Sequence, residues 1–308
     1  MIKAAFKQLI WRLAPSLFQR LSTRYEGQCF SISIYEGERL DRLKPHSEAL
    51  SPVLTSQDIT DVPALFVADP FMINNKDKWF MFFEVMENIT RKGKIGVATS
   101  SDLSRWHYHE IVLNEPFHLA YPYVFEHDGD IYMIPDSPGN GIRLYKAQDF
   151  PRGWSLVKKI QQKDIYCDNS IVQHDGVWWL FSAWAPDKSA PKKLRLFFAD
   201  RPDGDWVEHP ASPVASRDQS ITRPAGRIFK DKSDRMFRFA QDGTRAYGES
   251  VFAVEILQLD HYSYQEKKVN APILGPGKEA WSQGGMHHID VHCIGNRLFC
   301  CVDGWQLV

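Results

Sequence analysis

Residues 284–292 read GGMHHIDVH, three histidines and an aspartate in nine positions. Imidazole and carboxylate groups at that density can ligate a metal, pass a proton or satisfy each other, and geometry narrows the choice. In an extended strand His288, Asp290 and His292 face one side. At about 3.4 Å per residue, His288 and His292 stand roughly 13 Å apart at Cβ. A zinc–nitrogen bond is only about 2 Å, so one ion cannot take both. His288 and Asp290 can offer a pair of ligands, but a metal site then needs donors from distant parts of the chain. The competing reading is a hydrogen-bonded cluster inside the fold.

Stepping outward from these residues, similar polar positions recur in a repeat. The segments ADPFMINNKDKWFMFFE (68–84), AYPYVFEHDGDIYMIPD (120–136), CDNSIVQHDGVWWLFSA (167–183), TRPAGRIFKDKSDRMFRFAQD (222–242) and HHIDVHCIGNRLFCCVD (287–303) share one plan. Each opens on a polar residue, alternates, turns tightly and closes on an apolar strand ending in a polar or small residue, which is a β-hairpin signature. Their starts recur about every fifty residues, the spacing of propeller blades. Ala98 to Trp106, Ala147 to Trp154 and Ala199 to Trp206 each join a third strand (KIGVA, IRLYKA, LRLFFA) to a fourth. Four strands per unit make a blade. The last hairpin lacks a third strand, whereas FSISIYEGE (30–38) resembles a third strand without its first two. Sharing the fifth blade between the termini closes the ring and removes two exposed edges. The expected fold is therefore an all-β five-bladed β-propeller over residues 28–308, its fifth blade closed by an N-terminal strand, preceded by a short basic amphipathic helix within residues 1–27.

In such a ring the inner strands begin around one mouth of the central channel and the second strands return to it. That places Asp69, Tyr121, Asp168, Arg223 and His288 on an inner ring, and Glu84, Asp136, Ala183, Asp242 and Asp303 on an outer one. Crowded carboxylates shift one another's pKa values and can supply both acid and base. The candidate catalytic residues are Asp69, Asp168, Glu84 and Asp242. The candidate substrate contacts are Tyr121, Asp136, Arg223, Arg227, His287, His288, Asp290, Asp303 and Trp305. Structural alternatives stand beside them: Asp69 opening a strand before Pro70, Asp168 forming an Asx turn, and Glu84 or Asp242 pairing with Arg223 or Arg227. Tyr121, Trp184, Trp281 and Trp305 suit sugar stacking, or the wedging of blades.

The chain has 308 residues, 44% of them hydrophobic, enough for a full core. A formal net charge of −1 provides no whole-molecule field for nucleic acid, and no nucleic-acid partner is expected. The ten Trp suit a β-rich protein or a carbohydrate binder equally. Five cysteines, without CxxC spacing and mostly in strand-like runs, read as reduced thiols of a cytoplasmic protein. No cofactor is implied, a channel ion remaining the open alternative. Residues 1–24 differ from the rest: Ile2, Phe6, Leu9, Ile10 and Leu13 recur at helical spacing, and no acid precedes Glu26. Lys3, Lys7, Arg12, Arg20 and Arg24 leave −6 for the remainder of the chain. The run is too interrupted for a signal peptide and too short to span a bilayer. It fits an interfacial helix on the anionic inner face of a membrane, or a helix docking its apolar side on its own domain.

ITDVPALFVADPF…FFE, EPFHLAYPYVF…YMIPDS, RLYKAQDFPRGW, RPAGR…RFAQD…YG and GMHHID resemble the amino-terminal propeller domain of plant glucosamine inositolphosphorylceramide transferase and its stand-alone bacterial relatives. The likeness runs over roughly residues 28 to 305, every blade included. That domain is similar in turn to the five-bladed propellers of family-43 glycoside hydrolases, the arabinanases and xylosidases. The resemblance implies a glycan or glycolipid substrate in polysaccharide or glycolipid assembly. It also implies roles: Asp69 matches the general base that opens blade one, and Asp168 the orienting carboxylate that opens blade three. Where the hydrolases carry a general-acid Glu opening blade four, this sequence has Arg223, which stays protonated and cannot donate near neutral pH.

Two expectations follow. One is a hydrolase-like or transglycosylating enzyme, with Asp69 as base, Asp168 orienting, and Glu84, Asp136 or Asp242 as proton donor. The other is a non-catalytic module in which Arg223, Arg227, His288 and aromatic rings grip an anionic sugar. The plant proteins carry a glycosyltransferase domain after the propeller and none follows Val308, so transferase activity is not expected of this chain. A plain protein-interaction propeller ranks behind both, because it has no need of so many channel carboxylates.

Overall fold

The computed structural model describes residues 2–14, 26–162, 164–187 and 189–308. Among the described residues, helix α1 (Ile2–Leu13) precedes twenty strands arranged in five four-stranded sheets. The chain first lays down β1 (Gln28–Gly37) and β2 (Lys44–Pro45). Blade one follows as β3 (Ala64–Asn75), β4 (Lys78–Glu87), β5 (Gly93–Ser100) and β6 (His107–Leu113). Blade two is β7 (Ala120–His127), β8 (Asp130–Asp136), β9 (Ile142–Asp149) and β10 (Arg152–Gln161). Blade three is β11 (Ile165–His174), β12 (Val177–Ala185), β13 (Lys193–Ala199) and β14 (Val207–Glu208). Blade four is β15 (Phe229–Lys230), β16 (Met236–Asp242), β17 (Ser250–Leu259) and β18 (Tyr264–Lys268). Blade five joins β19 (Gly285–Ile294) and β20 (Arg297–Leu307) to β1 and β2, in the order β19-β20-β1-β2.

The hairpins form where the sequence supplies left-handed turn residues. Lys76-Asp77, Asp128-Gly129 and Asp175-Gly176 all have φ between 51° and 79°, the two-residue geometry whose twist matches that of paired strands. Apolar residues of neighbouring blades fill the wedges between sheets; Phe71 and Phe82 of blade one, for example, share a cluster with Tyr123 and Ile134 of blade two.

Closure follows the expected route. β1 pairs with β20 from Gln28↔Leu307 to Gly37↔Leu298, and Gly27 and Val308 exchange backbone hydrogen bonds of 3.2 and 3.1 Å. A polar clasp ties this blade to blade one: His46 lies 3.0 Å from Glu36 Oε2 through Nδ1 and 3.1 Å from Ser104 Oγ through Nε2. The line Ser104–His46–Glu36 has the order of a hydrolytic triad. The N–H groups of Ser104 and Arg105 already donate to Asp102 Oδ1, so no oxyanion donors remain there, and Ser104 is buried.

The inner strands carry the feature that positions the site. Each of β3, β7, β11 and β19 takes one extra residue against its partner: Ala68 to Phe71 spans Glu84 to Phe82, and the same shift occurs at Ala120/Tyr123, Cys167/Ser170 and Gly285/His288. These are β-bulges, which re-aim side chains at sheet rims. Asp69, Tyr121 and Asp168 occupy the bulges with φ of 53°, 45° and 56°, a region uncommon for residues other than glycine. Blade four differs. Pro224 and Gly226 replace a regular inner strand, and Gly226 (φ 141°) bridges Ile289 of blade five so closely that a Cβ would strike the Ile289 carbonyl.

Candidate functional site

A cavity of about 360 Å³ opens at the mouth where the bulges point. Asp69, Glu84, Asp136 and Asp168 line it with Arg223 and His287, so that all five blades contribute, from bulges, second strands and the irregular segment before β15. All four carboxylates are at most 7% exposed. A larger cleft of about 790 Å³ between blades four and five has mostly exposed surface pairs on its rim, such as Arg39–Asp41 and Arg235–Asp231, and no such convergence of buried titratable groups.

Asp69 is held by its neighbour in blade five. Its backbone N–H donates to Asp303 Oδ2 at 2.9 Å, which stabilises the bulge, and its Oδ1 lies 3.7 Å from His287 Nε2. Asp303 Oδ1 in turn lies 2.7 Å from His287 Nδ1, forming a line Asp303–His287–Asp69. Burial, with Asp303 and Asp168 nearby, pushes the Asp69 carboxyl up to about 7 despite the opposing pull of His287. Burial disfavours a charged His287, but Asp303 and then Asp69 outweigh it and raise its pKa. Asp303 shows the converse: burial would raise it, and His287 holds it below its ordinary value.

Glu84 and Asp136 have no such support. Glu84 Oε1 and Asp136 Oδ1 are buried without a hydrogen-bond partner among the described residues. Burial, and then the other carboxylates, hold both groups well above the ordinary carboxylate range, Asp69 acting most on Glu84 and Asp168 on Asp136. His118 faces Glu84 Oε1 at 3.6 Å through Nε2, while its Nδ1 accepts the Gly93 N–H at 2.9 Å. Since Nδ1 accepts and burial lowers the ring's pKa, the neutral ring carries its proton on Nε2, towards Glu84. Gly93 is required here, because a Cβ would come within 2.6 Å of Glu84 Oε1 and closer still to the Leu119 carbonyl. Asp168 is the paired member of the set, accepting from Arg223 Nε and from Gln241 Nε2.

Several expected contacts lie elsewhere. Tyr121 is fully buried below the mouth, its hydroxyl 2.9 Å from Ser170 Oγ. His288 is also in the channel, donating from Nε2 to the Pro70 carbonyl at 2.9 Å; the bulge before it turns His287, not His288, to the mouth. Arg227 and Asp290 pair mid-channel through Nε and Oδ1 at 2.6 Å. Asp290 Oδ2 also takes the Met72 N–H and His292 Nε2, at 2.6 and 3.0 Å. The Arg227 guanidinium donates further to the Met72 and Val124 carbonyls, so it reaches from blade four across to blades one and two. Asp242 is outside the cavity, half-buried and capping Thr244, because Gln241 occupies the position facing Asp168. Asp303 supports the wall from behind. Trp305 is buried, its indole N–H donating to the Gly248 carbonyl at 2.9 Å. Trp281 is likewise buried, and Trp184 stacks on Arg195.

The cavity also recruits residues that periodicity did not single out: His118, Lys192 and Tyr247 from loops, and Phe30 and Phe66 from β1 and β3. Tyr247 is 45% exposed, 5.1 Å from the Arg223 guanidinium at its ring centre, and supplies an open aromatic face. The signals for Tyr247 and His118 were the YG after RFAQD and the EPFHLA before blade two; for Lys192 there was none, since loop residues follow no strand period. Cys167 touches the cavity, but burial pushes its thiol up to about 12, leaving no thiolate near neutral pH.

Asp69, His287 and Asp303 bring three donor atoms within 4.8 Å of one another, the spacing of a metal triad. The hydrogen bonds argue against filling it. Asp303 already accepts from Asp69 N and from His287 N and Nδ1, which leaves only the Asp69 carboxylate and His287 Nε2 uncommitted. The His288–Asp290 pair is no better, because Asp290 is engaged by Arg227.

Residues 27–304 match the family described as glucosamine inositolphosphorylceramide transferase 1, N-terminal. Glucosamine inositolphosphorylceramide transferase 1 of Oryza sativa subsp. japonica is 37% identical over 267 residues, covering 84% of this chain and 35% of the rice protein. Its counterpart from Arabidopsis thaliana is 33% identical over 297 residues, covering 89% of this chain and 39% of its own. The chain thus spans about a third of the length of these relatives. Among solved structures, an α-L-arabinanase from Cellvibrio cellulosa superposes with TM-score 0.55 at 14% identity, over 80% of this chain and 94% of that one. A family 117 glycoside hydrolase from Zobellia galactanivorans gives 0.53 at 15% identity, over 78% and 84%. At such identities these structures establish a shared propeller fold and nothing further.

Proposed function

The chain belongs to the family of the glucosamine inositolphosphorylceramide transferase N-terminal domain, and from that premise we propose that its mouth cavity performs acid–base chemistry on a glycan or glycoconjugate. The observation that carries this reading is the division among the buried carboxylates. Burial, with Asp303 and Asp168 nearby, brings Asp69 up to about 7. Burial and then Asp69 push Glu84, and burial and then Asp168 push Asp136, well above the ordinary carboxylate range. Each of these two has one oxygen lacking a hydrogen-bond partner among the described residues. Carboxyl groups driven to different protonation states in one cavity supply a base and an acid together. Asp69 is the base, aligned by the Asp303–His287 pair. Glu84 or Asp136 is the proton donor, replacing the blade-four acid that Arg223 displaces. Asp168, fixed by Arg223, orients the substrate, and Tyr247 offers a ring for a sugar face. The names of the relatives and the hydrolase-like fold support a carbohydrate as substrate.

Turnover of a panel of aryl glycosides, oligosaccharides and glycolipids by wild type and by Asp69→Asn tests this. Turnover that vanishes in the variant supports it; no turnover of any member, or equal turnover by both proteins, sinks it. One observation favours a second reading. Arg223 pairs with Asp168 where the hydrolases place their acid, which suits a module that holds a sugar without cleaving it. That reading requires glycan binding by wild type with no product, and binding retained in Asp69→Asn.

A further inference from the structure

Independently of the chemistry in the cavity, we infer that α1 lies flat on an anionic lipid surface and tethers the propeller there. Leu9 and Leu13, one helical turn apart on the apolar stripe, are 53% and 77% exposed, so the propeller does not cover the C-terminal half of that stripe. Lys7 and Arg12 are exposed as well. The first 25 residues contain five Lys or Arg and no Asp or Glu, while the remainder of the chain carries −6. An anionic surface therefore attracts this segment and repels the rest, and three of its five cations, Lys3, Lys7 and Arg12, lie on the helix. Among the described residues no helix is long and apolar enough to cross a membrane. Twelve residues make a rod of about 18 Å, suited to lying in the headgroup layer with its leucines down and its cations level with the phosphates. A second copy is the poorer occupant, since it would set one cationic segment against another.

The experiment is co-sedimentation of the full chain with vesicles of phosphatidylcholine alone and of phosphatidylcholine mixed with phosphatidylglycerol. Partition onto the mixed vesicles should exceed that onto the neutral ones by about tenfold or more and should fall as salt is raised. The double variant Leu9→Glu/Leu13→Glu should lose about tenfold or more of that partition. Its thermal unfolding midpoint should match wild type, which separates lost docking from lost folding. Equal partition onto both vesicles, no partition onto either, or full partition by the double variant each overturns the inference. So does a dimer in light scattering that the double variant dissolves, because the stripe would then be covered by a second copy.

Discussion

At the mouth of the channel Glu84 and Asp136 each bury an oxygen without a partner among the described residues, whereas at its middle Asp290 accepts from three nitrogens and the Cys301 thiol and Arg227 gives three hydrogen bonds. Both regions are built from buried carboxylates, Glu84 and Asp136 on the second strands β4 and β8 and Asp290 on the inner strand β19. Their protonation is opposite: burial raises the mouth acids, while Arg227, followed by His292, overcomes burial and holds Asp290 well below the usual carboxylate range. The middle is an ion pair with its valences filled, a structural element. The mouth keeps buried polar atoms open, which native proteins seldom do without a functional reason.

The sharpest way to break this contrast is to exchange the expected effects. Asp69→Asn should lower turnover by about 10²- to 10⁴-fold with the unfolding midpoint unchanged or higher; a matching loss of stability would make the mouth as structural as the middle. Arg227→Met leaves Asp290 buried and uncompensated and should cost about 3–5 kcal/mol, read from denaturant titration. A cost no larger than that of Glu84→Gln would erase the difference. pH sharpens it further. The raised Asp69 contributes stability that is present below its unfolded value, near 4, and is lost as pH rises through about 7. Asp290, being lowered, contributes stability present above that unfolded value and lost as the solution becomes strongly acidic. Unfolding midpoints should therefore be highest on the acid side of neutrality, and Asp69→Asn should reduce the decline that runs up to about 7 while leaving the acid limb and the contributions of the raised Glu84 and Asp136 in place. The smallest effect belongs behind the cavity: Trp305→Phe removes one hydrogen bond to Gly248 and should cost about 1 kcal/mol, measured by thermal unfolding, with turnover little changed.

Much of this was readable from the chain. The recurrence of hairpins fixed the blade count, the orphan FSISIYEGE fixed the closure, and strand starts alone brought Asp69, Asp168, Glu84 and Asp136 to one mouth. The errors came from the bulges. A two-residue alternation cannot see the extra residue before His288, so it put His288 on the inner ring at the mouth; of the two candidates His287 and His288, only His287 lines the cavity. Tyr121 was misread for a similar reason: its bulged backbone turns the ring down the channel. Blade four was misaligned because Pro224 and Gly226 interrupt its inner strand, which gave Asp242 the position that Gln241 holds. Residues 15–25, half of the basic segment, lie outside the described residues.

The filled middle has a consequence for traffic. Below the cavity Phe71, Tyr121 and His288 are wholly buried, and Arg227 ties four blades together beneath them. The axis is therefore a blind well and not a tunnel. A polymer cannot be threaded through it; a ligand enters from the mouth and leaves by the same opening before another can arrive.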